Sequence, residues 1–118
     1  MSKSPTERTL DECRKRGWLP CVVERVIPKT FTRKDVWGFG DLLAVDDQPG
    51  ALLIQACVTG DISKRANKIR EYCRHEALCW LKAGNRISVW GWAKRGAAGK
   101  RKLWTLKEYP VTMETLDA

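Results

Sequence analysis

The sequence predicts a single α/β domain in which a mixed sheet of four or five strands is flanked by helices, in the order α-β-β-β-α-β-β. Two observations lead to this prediction. The 118 residues fit one domain of ordinary size, and 43% hydrophobic residues are enough for a core. Short apolar runs bounded by Pro, Gly and Asp lie on either side of one long helical pattern. We expect the core to cover about residues 6–107 and the segment 110–118 to be a peripheral tail.

The first helix is predicted from "SPTERTLDECRKRG", residues 4–17. Ser4 and Glu7 have the spacing of a capping box, and Pro5 suits the first helical turn. Gly17 fits the position at which a helix ends. Few apolar residues share one face of this helix, so we expect it to lie on the outside of the domain.

Three strands are predicted in the first half of the chain. "CVVERVI", residues 21–27, lies between two prolines, and "KTFTRKDVWGFG", residues 29–40, is interpreted as a loop or a short edge strand. "DLLAV" and "ALLIQACV", residues 41–45 and 51–58, are separated only by the turn signal "DDQPG". Strands joined by so short a turn should form an antiparallel hairpin.

The second half of the chain predicts a helix and two further strands. Asp61 is the expected cap, and the helix continues or restarts until Gly84. Its apolar face has helical spacing and consists of Ile62, Ala66, Ile69 and Cys73. "RISVWGWA", residues 86–93, is apolar on both faces, and "LWTLKEY", residues 103–109, closes the sheet. The helix between residues 58 and 86 suits a crossover, which makes the strands that it joins parallel neighbours.

Composition and charge restrict the function classes. No apolar run approaches the length of a membrane span, and the N-terminus lacks the apolar stretch of a signal peptide, so we expect a cytoplasmic protein without membrane contact. The five cysteines include no CxxC pair, and in a reducing cytoplasm they do not favour a disulfide framework. The cluster of Cys73, His75 and Cys79 matches no common zinc spacing.

The net charge of +8, from 22 basic and 14 acidic residues, favours a polyanionic partner, most often a nucleic acid. The basic side chains fall in the loop "KRGAAGKRK" and on the predicted helix, although each group could also be a merely solvated surface. An exposed Trp37 could stack on a base. The predicted contacts to DNA are Lys64, Arg65, Lys94, Arg95, Lys100, Arg101 and Lys102.

A polar group stands inside the apolar strand "ALLIQACV". Because side chains alternate along a strand, Gln55 and Cys57 share one face, and the predicted hairpin brings Asp41 near that face. A buried amide needs hydrogen-bond partners, so Gln55 either bonds to its neighbours or belongs to a site. Asp41 has the alternative role of stabilising the "GFG" turn, and Cys57 that of a small core residue.

These motifs, in this order, resemble the PD-(D/E)XK nuclease superfamily, whose fold is restriction-endonuclease-like. They read "VER" at 23–25, "DVWGFGD" at 35–41, "LLIQ" at 52–55 and "WGW" at 90–92. The set is most similar to small phage-type or mobile-element members of the kind that resemble Holliday junction resolvases. The resemblance implies an endonuclease that hydrolyses DNA phosphodiesters, on branched or nicked DNA, and that can act as a homodimer.

The resemblance also implies a divalent metal, Mg²⁺ or Mn²⁺, held by the side-chain oxygens of Asp41 and Gln55. Glu24 would be a third acid near this metal and counts among the expected catalytic residues. Asp35 has two alternative roles, in holding the loop or in holding the metal.

The chain departs from the superfamily pattern at two positions, with Gln55 in place of Glu and Cys57 in place of Lys. An amide oxygen binds a cation more weakly than a carboxylate does, and a thiol supplies no positive charge. Some superfamily members take that charge from the following helix, where Lys68 is the preferred candidate here and Lys64 and Arg65 are the others. The departures leave two further readings: a catalytically inactive nucleic-acid-binding module, or a small phage-type protein that binds an acidic protein.

Overall fold

A mixed sheet of five strands lies at the centre of the protein in the computed structural model, which describes residues 3–27, 32–96, 99 and 102–117. Two short strands pair separately as a two-stranded sheet. In chain order the strands are β1 (Leu19–Val22), β2 (Arg25–Ile27), β3 (Thr32–Lys34), β4 (Leu42–Val45), β5 (Leu52–Val58), β6 (Arg86–Arg95) and β7 (Leu103–Val111). The helices are α1 (Pro5–Lys15), α2 (Ile62–Tyr72), α3 (Arg74–Lys82) and α4 (Met113–Asp117).

The main sheet has the strand order β1-β4-β5-β6-β7. β4 and β5 form the predicted antiparallel hairpin, and β5 and β6 are the predicted parallel neighbours across the α2–α3 crossover. β6 pairs with β7 antiparallel along nearly its whole length. The predicted α/β class, the single mixed sheet and the order of its elements are therefore confirmed.

The first predicted strand, residues 21–27, is wrong as a single element, because it is interrupted at Val23 and Glu24. The amides of both residues donate to the backbone carbonyl of Asp41, at 2.9 and 3.1 Å. This pair of bonds turns the chain out of the main sheet, so that β2 pairs with β3 instead. The same turn brings Glu24 next to the carboxyl group of Asp41.

α1 covers one face of the sheet, and its start is capped as the sequence predicts. The Glu7 amide donates to Ser4 Oγ at 3.2 Å, and the Ser4 amide donates to Glu7 Oε1 at 3.3 Å. Thr9 and Cys13 are the fully buried residues of this helix. The indole of Trp92 donates to Thr9 Oγ1 at 3.0 Å, which fixes α1 against β6.

α2 and α3 cover the opposite face, and the helix restarts at Cys73. Asp61 occupies the N-cap position of α2, but its side chain makes no capping hydrogen bond there within the described residues. Gly91 lies directly beneath the start of α2, where a Cβ atom would stand 2.6 Å from Ile62 Cδ1 and 2.8 Å from Thr59 Cα. The missing side chain therefore lets Thr59 and the start of α2 pack closely against β6.

The segment after Pro110 is not a peripheral tail, in contrast to the prediction. Val111 ends β7 in the core, and Leu116 of α4 is only 1% exposed in the same core. A five-residue helix has too few positions to show a periodic pattern, which is why no helix was predicted there. Within the described ranges, no helix has the length and apolar character needed to cross a membrane.

Candidate functional site

A cleft of about 400 Å³ opens at the carboxyl end of β5, between the start of α1 and the start of α2. Its position follows from the topology, because the crossover to α2 begins at this end of β5. The interruption at Val23 and Glu24 places Glu24 at the same end. The charged and amide side chains that line the cleft are Glu24, Asp35, Asp41, Gln55, Asp61 and Arg65. The cleft is therefore strongly acidic, although the chain as a whole carries a charge of +8.

Asp41 and Gln55 are in direct contact, as the strand pattern predicts. Gln55 Nε2 donates to Asp41 Oδ2 at 2.7 Å, and the backbone amide of Ala56 donates to the same oxygen at 2.8 Å. Asp41 is 4% exposed and Gln55 is 3% exposed. The amide of Gln55 thus fixes the orientation of a buried carboxyl group.

The environment of Asp41 opposes its ionisation. Burial raises its pKa from 3.8 to about 7, and the hydrogen bond from the Ala56 amide only partly opposes this rise. The charge of Glu24, a hydrogen bond to the Glu24 side chain and the charge of Asp35 contribute to the same rise. The site therefore favours the protonated form of Asp41 more than water does, and a cation in the cleft would favour its charged form.

One oxygen of the site has no hydrogen bond. Gln55 Oε1 is buried, and among the described residues no donor reaches it. A buried acceptor without a partner is costly, so this oxygen is suited to a donor or a cation from outside the chain.

Cys57 shares the face of Gln55 and is buried in the core beneath α2. Burial raises the pKa of its thiol to about 11, and the charges of Asp61 and Asp41 act in the same direction against that of Arg65. The thiol is neutral at pH 7. Cys57 therefore supplies no positive charge to the cleft.

Among the described residues, the basic side chain that lines the cleft is Arg65, whereas the resemblance led us to expect Lys68. Arg65 lines the cleft, and its Nε is buried without a hydrogen-bond acceptor among the described residues. Lys68 lies about 4.5 Å further along the axis of α2. Burial raises the pKa of the Cys73 thiol, and the nearby charge of Lys68 partly opposes this rise. Asp61 and Arg65 have the i, i+4 spacing that places two side chains on one side of a helix. This spacing could have indicated that Arg65 lies beside Asp61 at the cleft.

The other predicted DNA contacts lie around this site. Lys64 lines a groove on the outer side of α2. Lys94, Arg95 and Lys102 are exposed. Val58, the last residue of β5, pairs with Trp92 in the parallel β5–β6 ladder. Lys94 and Arg95 follow Trp92 in β6, so they extend beyond the end of β5 at which the cleft opens. Two predicted contacts lie outside the described residues, Lys100 and Arg101.

The carboxylates of the cleft do not form a complete metal cage by themselves. In the part of the chain that the structure describes, no group of three or more His, Cys, Asp and Glu side chains is arranged to hold a metal ion. A site built from Asp41 and Gln55 would therefore need water or substrate oxygens as additional ligands, which is the usual arrangement for Mg²⁺.

Comparison with protein-family models, with curated proteins and with solved structures found no match for this chain.

We expect replacement of Asp41 by Asn to change the pH dependence of stability. The raised pKa of Asp41 means that the folded protein holds a proton between about pH 4 and 7 that the unfolded chain releases. The stabilisation from Asp41 is therefore complete below about pH 4 and is lost as the pH rises through 7. Relative to the wild type, Asp41→Asn should gain a few kcal/mol between pH 4 and pH 8, at about 1.4 kcal/mol per pH unit.

Urea unfolding at both pH values, with EDTA present, measures this difference. Asp47→Asn, in the exposed turn between β4 and β5, is the matched control and should follow the wild type. Identical pH dependence of the wild type and Asp41→Asn would contradict the assignment.

Proposed function

We propose that the domain is a metal-dependent endonuclease that hydrolyses DNA phosphodiesters. The observation that carries this proposal is the buried Asp41–Gln55 pair in an acidic cleft, with the cation Arg65 at its side. A carboxyl group next to an amide oxygen without a partner is a donor set for a hard divalent cation, and the arginine faces the place where a phosphate would bind.

The residues of the cleft fit Mg²⁺ or Mn²⁺. Asp41 would contribute a carboxylate oxygen and Gln55 its buried Oε1, for which the described residues offer no donor. The neighbouring Glu24 and Asp35 add negative charge, which raises the pKa of Asp41 and which a divalent cation would offset. When bound there, such a cation supplies a Lewis acid for the phosphodiester and the means to activate water.

The side chains of this chain would divide the remaining work. Gln55 holds the carboxyl group of Asp41 in one orientation through Nε2. Glu24 is hydrogen-bonded to Asp41 and can exchange a proton with it, because the two carboxyl groups interact directly. Arg65 carries a guanidinium group, which can stabilise negative charge on a phosphate.

The distribution of charge supports DNA as the substrate. The acidic cleft alone would repel phosphate groups, but basic side chains are exposed nearby, at Lys64 on α2 and at Lys94 and Arg95 at the end of β6. The basic side chains would hold the backbone of DNA independently of its sequence, and the bound cation would make the cleft accessible to one phosphodiester.

A catalytically inactive DNA-binding module on the same fold is the second candidate. The neutral thiol of Cys57 favours it, because that position lacks the lysine of the superfamily pattern. In this alternative the basic surface would still bind DNA, and the cleft, with Glu24 and Asp41 in contact, would have no catalytic role.

Incubation of the protein with plasmid, nicked and four-way-junction DNA in Mg²⁺ or Mn²⁺ tests the proposal. We expect cleavage by the wild type and a loss of about 100-fold or more in Asp41→Asn, because the metal contribution amounts to several kcal/mol. Asp47→Asn is the matched control and should retain full cleavage. DNA that is bound in a salt-dependent way but never cut, with either metal, would reject the proposal in favour of the binding module.

The two basic residues of α2 should have separable effects on cleavage. Arg65→Ala removes the cation of the cleft and should lower kcat by about 100- to 1,000-fold, the typical effect of losing one transition-state contact to developing charge. Lys68→Ala should raise KM a few-fold and leave kcat almost unchanged. Steady-state rates over a range of DNA concentrations distinguish the two parameters, and a larger loss of kcat in Lys68→Ala than in Arg65→Ala would restore Lys68 as the catalytic cation.

A further inference from the structure

The outer side of α2 combines positive charge with an exposed aromatic ring. A groove of about 490 Å³ runs along it, lined by Lys64, Arg65, Asn67, Lys68, Glu71 and Tyr72. The ring of Tyr72 is 80% exposed, the highest value among the large hydrophobic side chains of the described residues. The core does not require this ring.

The side chains of this groove are arranged along the helix axis. Lys64, Lys68 and Tyr72 follow one another at intervals of four residues, so they lie along one side of α2 over about 12 Å. That length matches a short segment of extended polynucleotide. Glu71 is the one acid among the six residues that line the groove.

A second exposed aromatic residue is Trp37, whose chain neighbour Gly38 contacts the residue that follows Tyr72. Trp37 is 50% exposed and has a φ of +54°, a conformation that residues with side chains rarely adopt. The next residue, Gly38, lies against Cys73, since a Cβ there would stand 3.4 Å from its Sγ. Trp37 and Tyr72 therefore precede in the chain two residues that are in contact, Gly38 and Cys73. Trp80 packs edge-on against the Trp37 ring at 5.7 Å and supports it from one side.

We infer that this surface, the α2 platform of Lys64, Lys68, Tyr72 and Trp37, binds single-stranded DNA. Lys64 and Lys68 contact phosphates, and the rings of Tyr72 and Trp37 stack on unpaired bases. Arg65 lines both the groove and the acidic cleft, so a strand on the platform leads directly to the candidate active site. The preferred substrate is accordingly a duplex or junction with an unpaired tail. This last step depends on the proposed function, whereas binding to the platform does not.

Binding in EDTA tests the platform without any cleavage. The probe is a fluorescein-labelled oligothymidine of about 12 nucleotides, followed by anisotropy. Tyr72→Ala should weaken binding by about 5- to 100-fold, as expected for the loss of one stacked base. Tyr72→Phe keeps the ring and should bind as the wild type does. Because Tyr72 is so exposed, both variants should keep the native circular dichroism spectrum.

The basic part of the platform has a separate signature. Lys64→Ala should lower the slope of log affinity against log salt by about 0.7, the value for one phosphate contact on a single strand. Lys82→Ala, exposed at the end of α3, removes the same charge elsewhere and should leave the slope unchanged.

Three results would overturn the inference: equal binding by Tyr72→Ala and the wild type, equal affinity for a blunt duplex, or tighter binding of oligouridine RNA than of DNA. Cleavage assays in Mg²⁺ keep this inference apart from the proposed function. Binding that depends on Tyr72 without cleavage supports the platform and rejects the nuclease. Cleavage that is equally fast on blunt and tailed duplexes, and unaffected in Tyr72→Ala, supports the nuclease and rejects the platform.

Discussion

Asp41 holds together the strands that form the cleft. Its backbone amide donates to the carbonyl of Ile54 at 2.9 Å, and its own carbonyl accepts from the amides of Val23 and Glu24 at 2.9 and 3.1 Å. Its carboxyl group accepts two further hydrogen bonds from β5, one of them from the side chain of Gln55. One residue therefore ends β1, fixes the β4–β5 hairpin and turns the chain so that Glu24 meets the Asp41 carboxyl group. The geometry of the cleft follows from these bonds.

The same bonds create an electrostatic problem. They place a buried carboxyl group beside Glu24 and Asp35, in a protein that is otherwise strongly basic. A protonated Asp41 reduces the repulsion in the free protein, and a divalent cation would reduce it more completely. The unpartnered oxygen of Gln55 belongs to the same arrangement. In the proposed function the cleft and the basic surface of α2 would have complementary roles, since one would bind a cation and the other a polyanion, and Arg65 lines both.

Local patterns predicted most of the fold. The capping box of α1, the β4–β5 hairpin and the parallel crossover each depend on residues close together in the chain, and alternation along β5 correctly placed Gln55 against Asp41. The interruption of the first strand depends on bonds to a carbonyl about eighteen residues away, and Leu116 is buried by contacts across the whole domain. Such long-range contacts leave no local signal. The position of Arg65 in the cleft likewise depends on how α2 packs on the sheet, which the local sequence does not show.

The central claim is that the carboxyl group of Asp41 is a ligand for a divalent cation. Carbon-13 NMR of the side-chain carboxyl groups over a pH titration, with and without Mg²⁺, tests it most directly, with Asp41→Asn to assign the signal. The account predicts a pKa near 7 without metal and a pKa well below that value at saturating Mg²⁺. A pKa for Asp41 that is the same with and without Mg²⁺ would contradict it.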